Sequence, residues 1–409
     1  MLLWHLLRHV MRRGTLRVID AHGRTHTFSG SIGPEITIRL HTSALERKLF
    51  FNSRLALGEA FMEGTLTVEN GRIFDFLDLV ASNLREAPPS LFTPLYSGFG
   101  HALRMFHQFN PLGRSRRNVA HHYDLSDTLY DLFLDADRQY SCAYFTDPGN
   151  TLEQAQADKK RHLAAKLLLR PGQKVLDIGC GWGGLALYLA READVDVTGL
   201  TLSVEQLKVA ESRAAAAGLS DRVRFKLLDY RQAAGVYDRI VSVGMFEHVG
   251  VLQYPTFFRK VKDLLAPDGV ALLHSIGRQD GPGATNPWIR KYIFPGGYSP
   301  AISEVVPVIE RMGLWITDIE VLRLHYAHTL RAWRTRFLAN LEAIKALYDE
   351  RFCRMWEFYL AASECAFLHQ GHINFQIQLA RDINAVPLTR DYIREWEMNH
   401  QTSRIERAA

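Results

Sequence analysis

Four glycines crowd into six residues, at Gly179, Gly181, Gly183 and Gly184. Before them Lys174–Ile178 is an apolar run bounded by Pro171-Gly172, the pattern of a short buried strand. After them Leu185, Ala186, Leu187, Leu189 and Ala190 read as the start of a helix. A glycine run between strand and helix lets backbone approach a ligand closely and leaves the helix's first N–H groups open to it. That is a nucleotide-cofactor turn at the mouth of an open α/β sheet. Gly179-x-Gly181-x-x-Gly184 literally fits the dinucleotide fingerprint, which alone is weak. The fingerprint also wants a carboxylate at the end of the next strand. That strand, Val195–Leu200, runs into Thr201 with none, and Asp196 stands at its wrong end. A glycine-rich turn without a ligand is the bland alternative.

An Asp two residues before the first glycine, Asp177 here, resembles the methyltransferases that bind S-adenosylmethionine. The elements around the turn agree with a cofactor sheet. Val223–Asp229, Tyr237–Val243 and Val270–His274 read as further strands, with helices over about 203–217 and 257–265 between them. Alternating β and α at this spacing means a doubly wound sheet. Residues 301–312 and 330–381 add helices, and a long helix over about 151–169 is punctuated by Asp158-Lys-Lys-Arg.

The N-terminal part differs. Leu2, Leu3, Leu6, Leu7 and Val10 recur at helical spacing, either as an interfacial helix or as one docked on the protein's own core. Residues from Thr15 to about Asn70 alternate like strands, with an Asn70-Gly71 turn signal, and Ile73–Leu84 reads as a helix. Pro88-Pro89 and a loose stretch to Gly113 read as a linker. The expected division is an N-terminal docking domain over 1–92, a linker over 93–117, and a catalytic domain over 118–409.

The 409 residues, 47% hydrophobic and 23% charged, are ordinary for globular domains. A net charge of +5 is too small to argue nucleic-acid binding. The positive charge is clustered, at Arg8, Arg12, Arg13, Arg17 and Arg24, and again at Arg104, Arg114, Arg116 and Arg117. Such clusters are solvated faces or attract anionic headgroups. Cys142, Cys180, Cys353 and Cys365 have neither metal-ligand spacing nor a disulfide pattern, which suits a reducing cytoplasm. No signal peptide and no spanning helix is expected, so lipid would be met from the surface.

A set of motifs then becomes specific: Asn118-Val-Ala-His-His-Tyr-Asp, Tyr140-Ser-Cys-Ala-Tyr-Phe, the glycine turn, Val197-Thr-Gly-Leu-Thr-Leu-Ser-Val-Glu-Gln, Phe246-Glu-His-Val-Gly, His274-Ser-Ile-Gly, Ile293-Phe-Pro-Gly-Gly and His325-Tyr-Ala-His-Thr-Leu. In this order they resemble the cyclopropane-fatty-acyl-phospholipid synthases, of the family that includes the mycolic-acid cyclopropane synthases. The resemblance covers Asn118 to about Arg381, and the N-terminal extension resembles the phospholipid-acting branch. It implies an α/β fold: a doubly wound, Rossmann-like methyltransferase sheet with helical additions, plus a small α+β N-terminal domain. It also implies a reaction in which the cis double bond of an acyl chain attacks the sulfonium methyl and the resulting carbocation closes to a ring on losing a proton.

Such a site must be apolar, exclude water and stabilise positive charge. By resemblance Cys142, Glu247, His274, Ile276 and Tyr326 cradle a bicarbonate that takes the proton. Cys142 and Ile276 would offer backbone groups, and His274 and Tyr326 would donate. Glu247 would accept the bicarbonate O–H or orient His274, or act as the base itself. For the cofactor, Gly179, Gly181 and Gly183 would pass beneath it, with Asp177 orienting the loop. Thr201, Leu202 and Gln206 would hold ribose and adenine, Tyr140 and Ser141 would close the methionine end, and Asp229-Tyr230 would touch adenine. Trp288, Tyr292, Phe294 and Tyr298 would line an acyl tunnel or be core. No metal is expected. The implied partners are an unsaturated phospholipid in an anionic or zwitterionic bilayer and a second copy of the chain, with the protein cytoplasmic and peripheral to the inner membrane face. A methyl-branching lipid enzyme and a small-molecule N-methyltransferase are the competing readings.

Overall fold

The computed structural model describes residues 2–86 and 125–400. The expected linker, the Asn118–Asp124 motif and the second arginine cluster lie outside the described residues.

At the N-terminus helix α1 (Leu2–Val10) precedes strands β1 (Arg13–Ile19), β2 (Thr25–Ser29) and β3 (Ser31–Leu40). Helix α2 (Ser43–Met62), β4 (Leu66–Asn70) and α3 (Ile73–Glu86) follow. The four strands form one sheet in the order β2-β1-β3-β4. Alternation gives the strands their inner face: Leu16, Val18, Ile36, Ile38 and Leu40 are all buried. The 20-residue α2 corrects the all-strand reading of this stretch. Its buried positions are mostly small or widely spaced, and a non-helical Asn52 interrupts it, so no strong apolar stripe marks it. Asn70-Gly71 makes no hairpin. Gly71, at φ +93°, turns the chain from β4 into α3, where Asp75 accepts the Arg72 N–H at 2.7 Å.

The larger sheet begins after α4 (Asp127–Phe133) and α5 (Leu152–Leu167). It is built from β5 (Lys174–Ile178), α6 (Gly184–Ala193), β6 (Asp196–Thr201), α7 (Val204–Ala216), β7 (Val223–Leu227), β8 (Tyr237–Val243), α8 (Tyr254–Leu264) and β9 (Leu265–Arg278). Beyond these lie α9 (Pro287–Tyr292), α10 (Ile302–Met312), β10 (Trp315–Val321), α11 (His325–Ala339), α12 (Leu341–Leu347), α13 (Glu350–His369), β11 (His372–Ala380) and α14 (Asp391–Asn399). The seven strands run β10-β11-β9-β8-β5-β6-β7. Strands β9, β8, β5, β6 and β7 pair in parallel, and β10 pairs antiparallel with β11. Both faces are covered. Val175 of β5 joins one apolar cluster with α6, while Leu176 and Ile178 join the other with α8 and α10. The strand order reverses between β5 and β8, which places a ligand crevice at their C-terminal ends.

Two strands escaped the sequence, β10 and β11. Residues 372–380, expected as helix, are β11. Its alternating Asn374, Gln376 and Gln378 are buried although polar, so the strand lacks the apolar-and-exposed alternation that identifies one.

The described chain forms two compact units. One gathers residues 2–86 with Gly283–Pro295 and Tyr326–His372; the other holds 125–282, Gly296–His325 and 373–400. Residues 283–295 and 326–372, placed by sequence with the catalytic part, thus pack with the N-terminal segment. The anchor is Trp288 of α9. Its ring lies on Gly58 of α2, where a Cβ would come within 2.5 Å of it, and its N–H points to Met62 Sδ at 3.1 Å.

Candidate active site

The glycine turn is pinned by one carbonyl. The N–H groups of Gly179 and Cys180 both donate to Leu200 O at 2.9 Å, which ties the end of β5 to the end of β6. Gly179 and Gly181 take φ of +88° and +54°, conformations that side chains disfavour. At Gly179 a Cβ would also stand 2.7 Å from Met245 Cβ. Replacing Gly179 with Ala should therefore weaken S-adenosylhomocysteine binding by roughly tenfold or more, from backbone strain and the displaced Met245. Titration calorimetry reads this directly, and an unchanged affinity would remove the close approach from the site.

A cavity opens over this turn. Among its lining residues are Tyr140, Ser141, Asp177, Gly179, Gly181, Thr201, Leu202, Gln206, Asp229 and Tyr230, ten of the eleven residues expected at the cofactor. Gly183 does not line it. It is the N-cap of α6, at φ +81°, against Phe225 and Ala210. Gly184 lines the cavity in its place.

The polar wall is preset. Thr201 Oγ1 donates to Gln206 Oε1 at 2.9 Å, so Gln206 has its Nε2 donor left for a hydroxyl. Asp229 is held by Arg231, whose Nε and Nη2 donate to its two oxygens at 2.8 and 2.7 Å. Asp177 does not hydrogen-bond the glycine loop it was expected to orient. Its Oδ2 is buried without a partner, and burial pushes the carboxyl up to about 7, with nearby Lys159 opposing.

The expected anion cradle is only partly assembled. Glu247 follows β8 in the short helix Phe246–His248. Its Oε1 accepts the Ile276 N–H at 2.6 Å, while its Oε2 is buried without a partner. Burial pushes this carboxyl up to about 7. His274 sits on the same strand as Ile276, but its ring is taken by β11. Asn374 lies 2.8 Å from Nε2 and Gln376 lies 3.2 Å from Nδ1. Glu247 therefore does not orient His274, and His274 donates to a ligand only by giving up an amide. Burial holds its pKa well below the ordinary value, so the ring is neutral. Cys142 is buried, with its thiol 3.4 Å from Ala143 O. Tyr326 belongs to the other compact unit, where its ring packs on Phe367 and Trp333.

Sequence reasoning passed over Arg231, Met245 and His248 on the wall, and Gln156 and Lys159 behind it. No signal in the sequence singled out Lys159, which stands in the charged run Asp158-Lys-Lys-Arg, where Asp158 and Arg161 are buried as well.

A model of the mycolic acid cyclopropane synthetase family matches residues 111–377. The chain belongs to that family. It is therefore an S-adenosylmethionine-dependent methyltransferase, in agreement with the sheet and its cavity. Relatives in the family match nearly end to end. The cyclopropane-fatty-acyl-phospholipid synthase of Escherichia coli K12 is 39% identical over 348 residues, 85% of this chain and 88% of that one. A probable fatty acid methyltransferase of Pseudomonas putida is 40% identical over 361 residues, 85% of this chain and 87% of that one. The crystal structure of mycolic acid cyclopropane synthase CmaA1 with SAH and CTAB superposes with a TM-score of 0.62 at 35% identity, covering 66% of this chain and 99% of that one.

Proposed function

We propose that the protein transfers the one-carbon unit of S-adenosylmethionine to a cis double bond in an unsaturated acyl chain of membrane phospholipid, forming a cyclopropane. The name of the Escherichia coli relative supports the substrate class. One observation carries the proton loss that must follow methyl transfer: a buried carboxylate, Glu247, keeps one oxygen unpartnered two residues from cavity-lining Met245. Both ring closure and methylene branching release a proton from the methylated cation, so the ring itself is read from the relative's name and from the product analysis below.

The roles follow from the placement. The glycine turn, Thr201 with Gln206, and Asp229 with Arg231 hold the cofactor. Tyr140 and Ser141 close one side of it. Asp177, unpartnered on the wall, receives a donor from the cofactor. The olefin's π electrons attack the methyl carbon as the C–S bond breaks. The positive charge passes to the acyl chain, S-adenosylhomocysteine leaves, and loss of a methyl proton closes the ring. Glu247 fits bicarbonate in one respect, because its unpartnered Oε2 accepts an O–H; bicarbonate when bound would supply the base. Ile276 already gives its N–H to Glu247, and it holds that carboxylate in place. Cys142 and His274, in the same compact unit as Glu247, complete the proposed cradle. Activity lost in carbon-dioxide-depleted buffer and restored by added bicarbonate supports this ion, and undiminished activity assigns the base to Glu247 alone.

Among the described residues no helix is long and apolar enough to cross a membrane. Membrane contact is proposed for the N-terminal segment. Trp4 of α1 stacks on His26 and Phe28 of its own sheet, while Leu2 and Leu6, one turn apart, stay exposed. Peripheral action at the inner membrane face and a homodimer belong to the same reading. A flotation assay with anionic vesicles tests the docking, and equal recovery of a Leu2→Ser, Leu6→Ser variant would end it.

The deciding experiment incubates the protein with S-adenosylmethionine and vesicles of an unsaturated phospholipid. Mass spectrometry should show a gain of one methylene without an ozonolysable olefin. The same gain with an olefin retained would establish methyl or methylene branching instead.

A further inference from the structure

Lysine is rarely buried without a carboxylate partner, because transferring an ammonium from water is costly. Lys159 of α5 is fully buried. Among the described residues its Nζ makes two hydrogen bonds, both to neutral side chains: Gln139 Oε1 and Ser141 Oγ, each at 2.8 Å. Three residues earlier on the same helix, Gln156 Nε2 donates to the backbone carbonyls of Gln139 and Ser141 at 3.1 and 3.0 Å. Residues three apart on a helix share a face. One face of α5 thus grips a single three-residue stretch at four points.

That stretch is irregular chain, with no sheet or helix of its own to hold it. Gln139, Tyr140 and Ser141 all line the cofactor cavity. Irregular backbone beside a ligand keeps its shape only where outside groups fix it. The attachment continues downstream, where the Tyr144 N–H donates to Ala155 O at 3.0 Å and Thr146 Oγ1 to Asp158 Oδ2 at 2.8 Å. Those contacts bring no charge against the side chains that line the cavity. Lys159 does, and from behind the wall its charge opposes the upward push of burial on the carboxyl of cavity-lining Asp177.

We propose that Lys159, seconded by Gln156, is a positioning residue for the cofactor: it fixes the Gln139–Ser141 wall of the cavity from behind. Its two hydrogen bonds set the side chains of Gln139 and Ser141, while Gln156 sets their backbone. Lys159 does not touch the reacting atoms. The inference rests on the reading of this cavity as the S-adenosylmethionine site.

The test compares wild type with Lys159→Met, which keeps the length of the stem and removes the donors. S-adenosylhomocysteine affinity is measured by calorimetry, and KM and kcat are measured with unsaturated phospholipid vesicles. Lys159→Met should raise the Kd, and the KM for S-adenosylmethionine, by about 10- to 100-fold, the range of charge-assisted hydrogen bonds. The KM for lipid, and kcat at saturating cofactor, should stay near wild type. Combining Lys159→Met with Ser141→Ala should cost less than the sum of the two, since both remove one contact. A lowered melting temperature with unchanged KM would assign Lys159 to fold stability and overturn the proposal, as would additive effects. Should Lys159→Met fail to fold, Gln139→Leu with Ser141→Ala removes the same bonds from the other side, and a wild-type Kd there is equally fatal. If wild type itself binds no S-adenosylhomocysteine, it is the cofactor reading that fails.

Discussion

Glu247→Gln should lower kcat by roughly 100-fold or more while leaving S-adenosylhomocysteine affinity near wild type. The substitution is nearly isosteric. A glutamine Oε1 still accepts the Ile276 N–H, so the hydrogen bond observed at 2.6 Å has a counterpart. What changes is the second oxygen. In the wild type it is a buried, unpartnered acceptor, and in the variant an amide N–H₂ takes its place. A donor there can neither take a proton nor accept the O–H of a bound oxyacid. The result is the same for both versions of the base, which makes this the more general test of the cradle. Retained kcat would remove Glu247 from the chemistry.

The same residue predicts two pH effects of opposite sign. Burial raises the Glu247 carboxyl from 4.5 to about 7, and the reaction needs the carboxylate. Wild-type kcat should therefore rise with pH to a plateau above about 7. Asp177 titrates near the same pH, so kcat/KM for the cofactor carries both groups and kcat is the cleaner measure. Stability runs the other way. A group whose pKa is raised by folding holds its proton more tightly in the folded state. Its contribution is full below the unfolded pKa and is lost as pH rises through about 7. At pH 8 the buried carboxylate costs up to roughly 3 kcal/mol. Glu247→Gln should therefore melt higher than wild type at pH 8, with the gap closing near pH 4. A variant that is more stable and far less active is the expected signature of a strained functional group.

The sheet's central strands were legible because β5, β6, β7, β8 and β9 are bounded by turns and helices at regular spacing. The cofactor wall was legible for a related reason: its residues sit at the ends of those strands, where topology alone brings them together. Long-range partners were not legible. The ring of His274 is claimed by Asn374 and Gln376, a hundred residues on, in a strand whose polar side chains hide it. Asp177 was expected to serve the loop beside it and instead lies unpartnered. The wall at Gln139 and Ser141 is fixed from α5, and no local pattern in the 139–142 stretch announces that support. Local propensity and periodicity carry elements, whereas the pairing of buried polar groups depends on which elements become neighbours.

Trp288→Ala should destabilise the unit that contains it by about 3–5 kcal/mol, the cost of emptying a large aromatic site. The indole is 1% exposed. It packs against Gly58, meets Phe358 edge-on at 4.7 Å and directs its N–H to Met62. Around it α9 is bound to α2 by Lys291 and Tyr292, both on Glu59 Oε1, at 2.7 and 2.9 Å. The exposed Lys291–Glu59 pair adds little, so the ring carries the attachment. Gly58 is what permits it, since an added Cβ would collide with the indole; Gly58→Ala should thus destabilise the same unit. These contacts assign Trp288 to the core of its unit and separate it from the acyl-tunnel role considered for its aromatic loop. Urea denaturation followed by tryptophan fluorescence reads the loss, and calorimetry on the same sample reads the cofactor. S-adenosylhomocysteine affinity should be unchanged, because every residue lining the cavity belongs to the other unit. Unchanged stability with a raised KM for lipid would return Trp288 to the acyl chain.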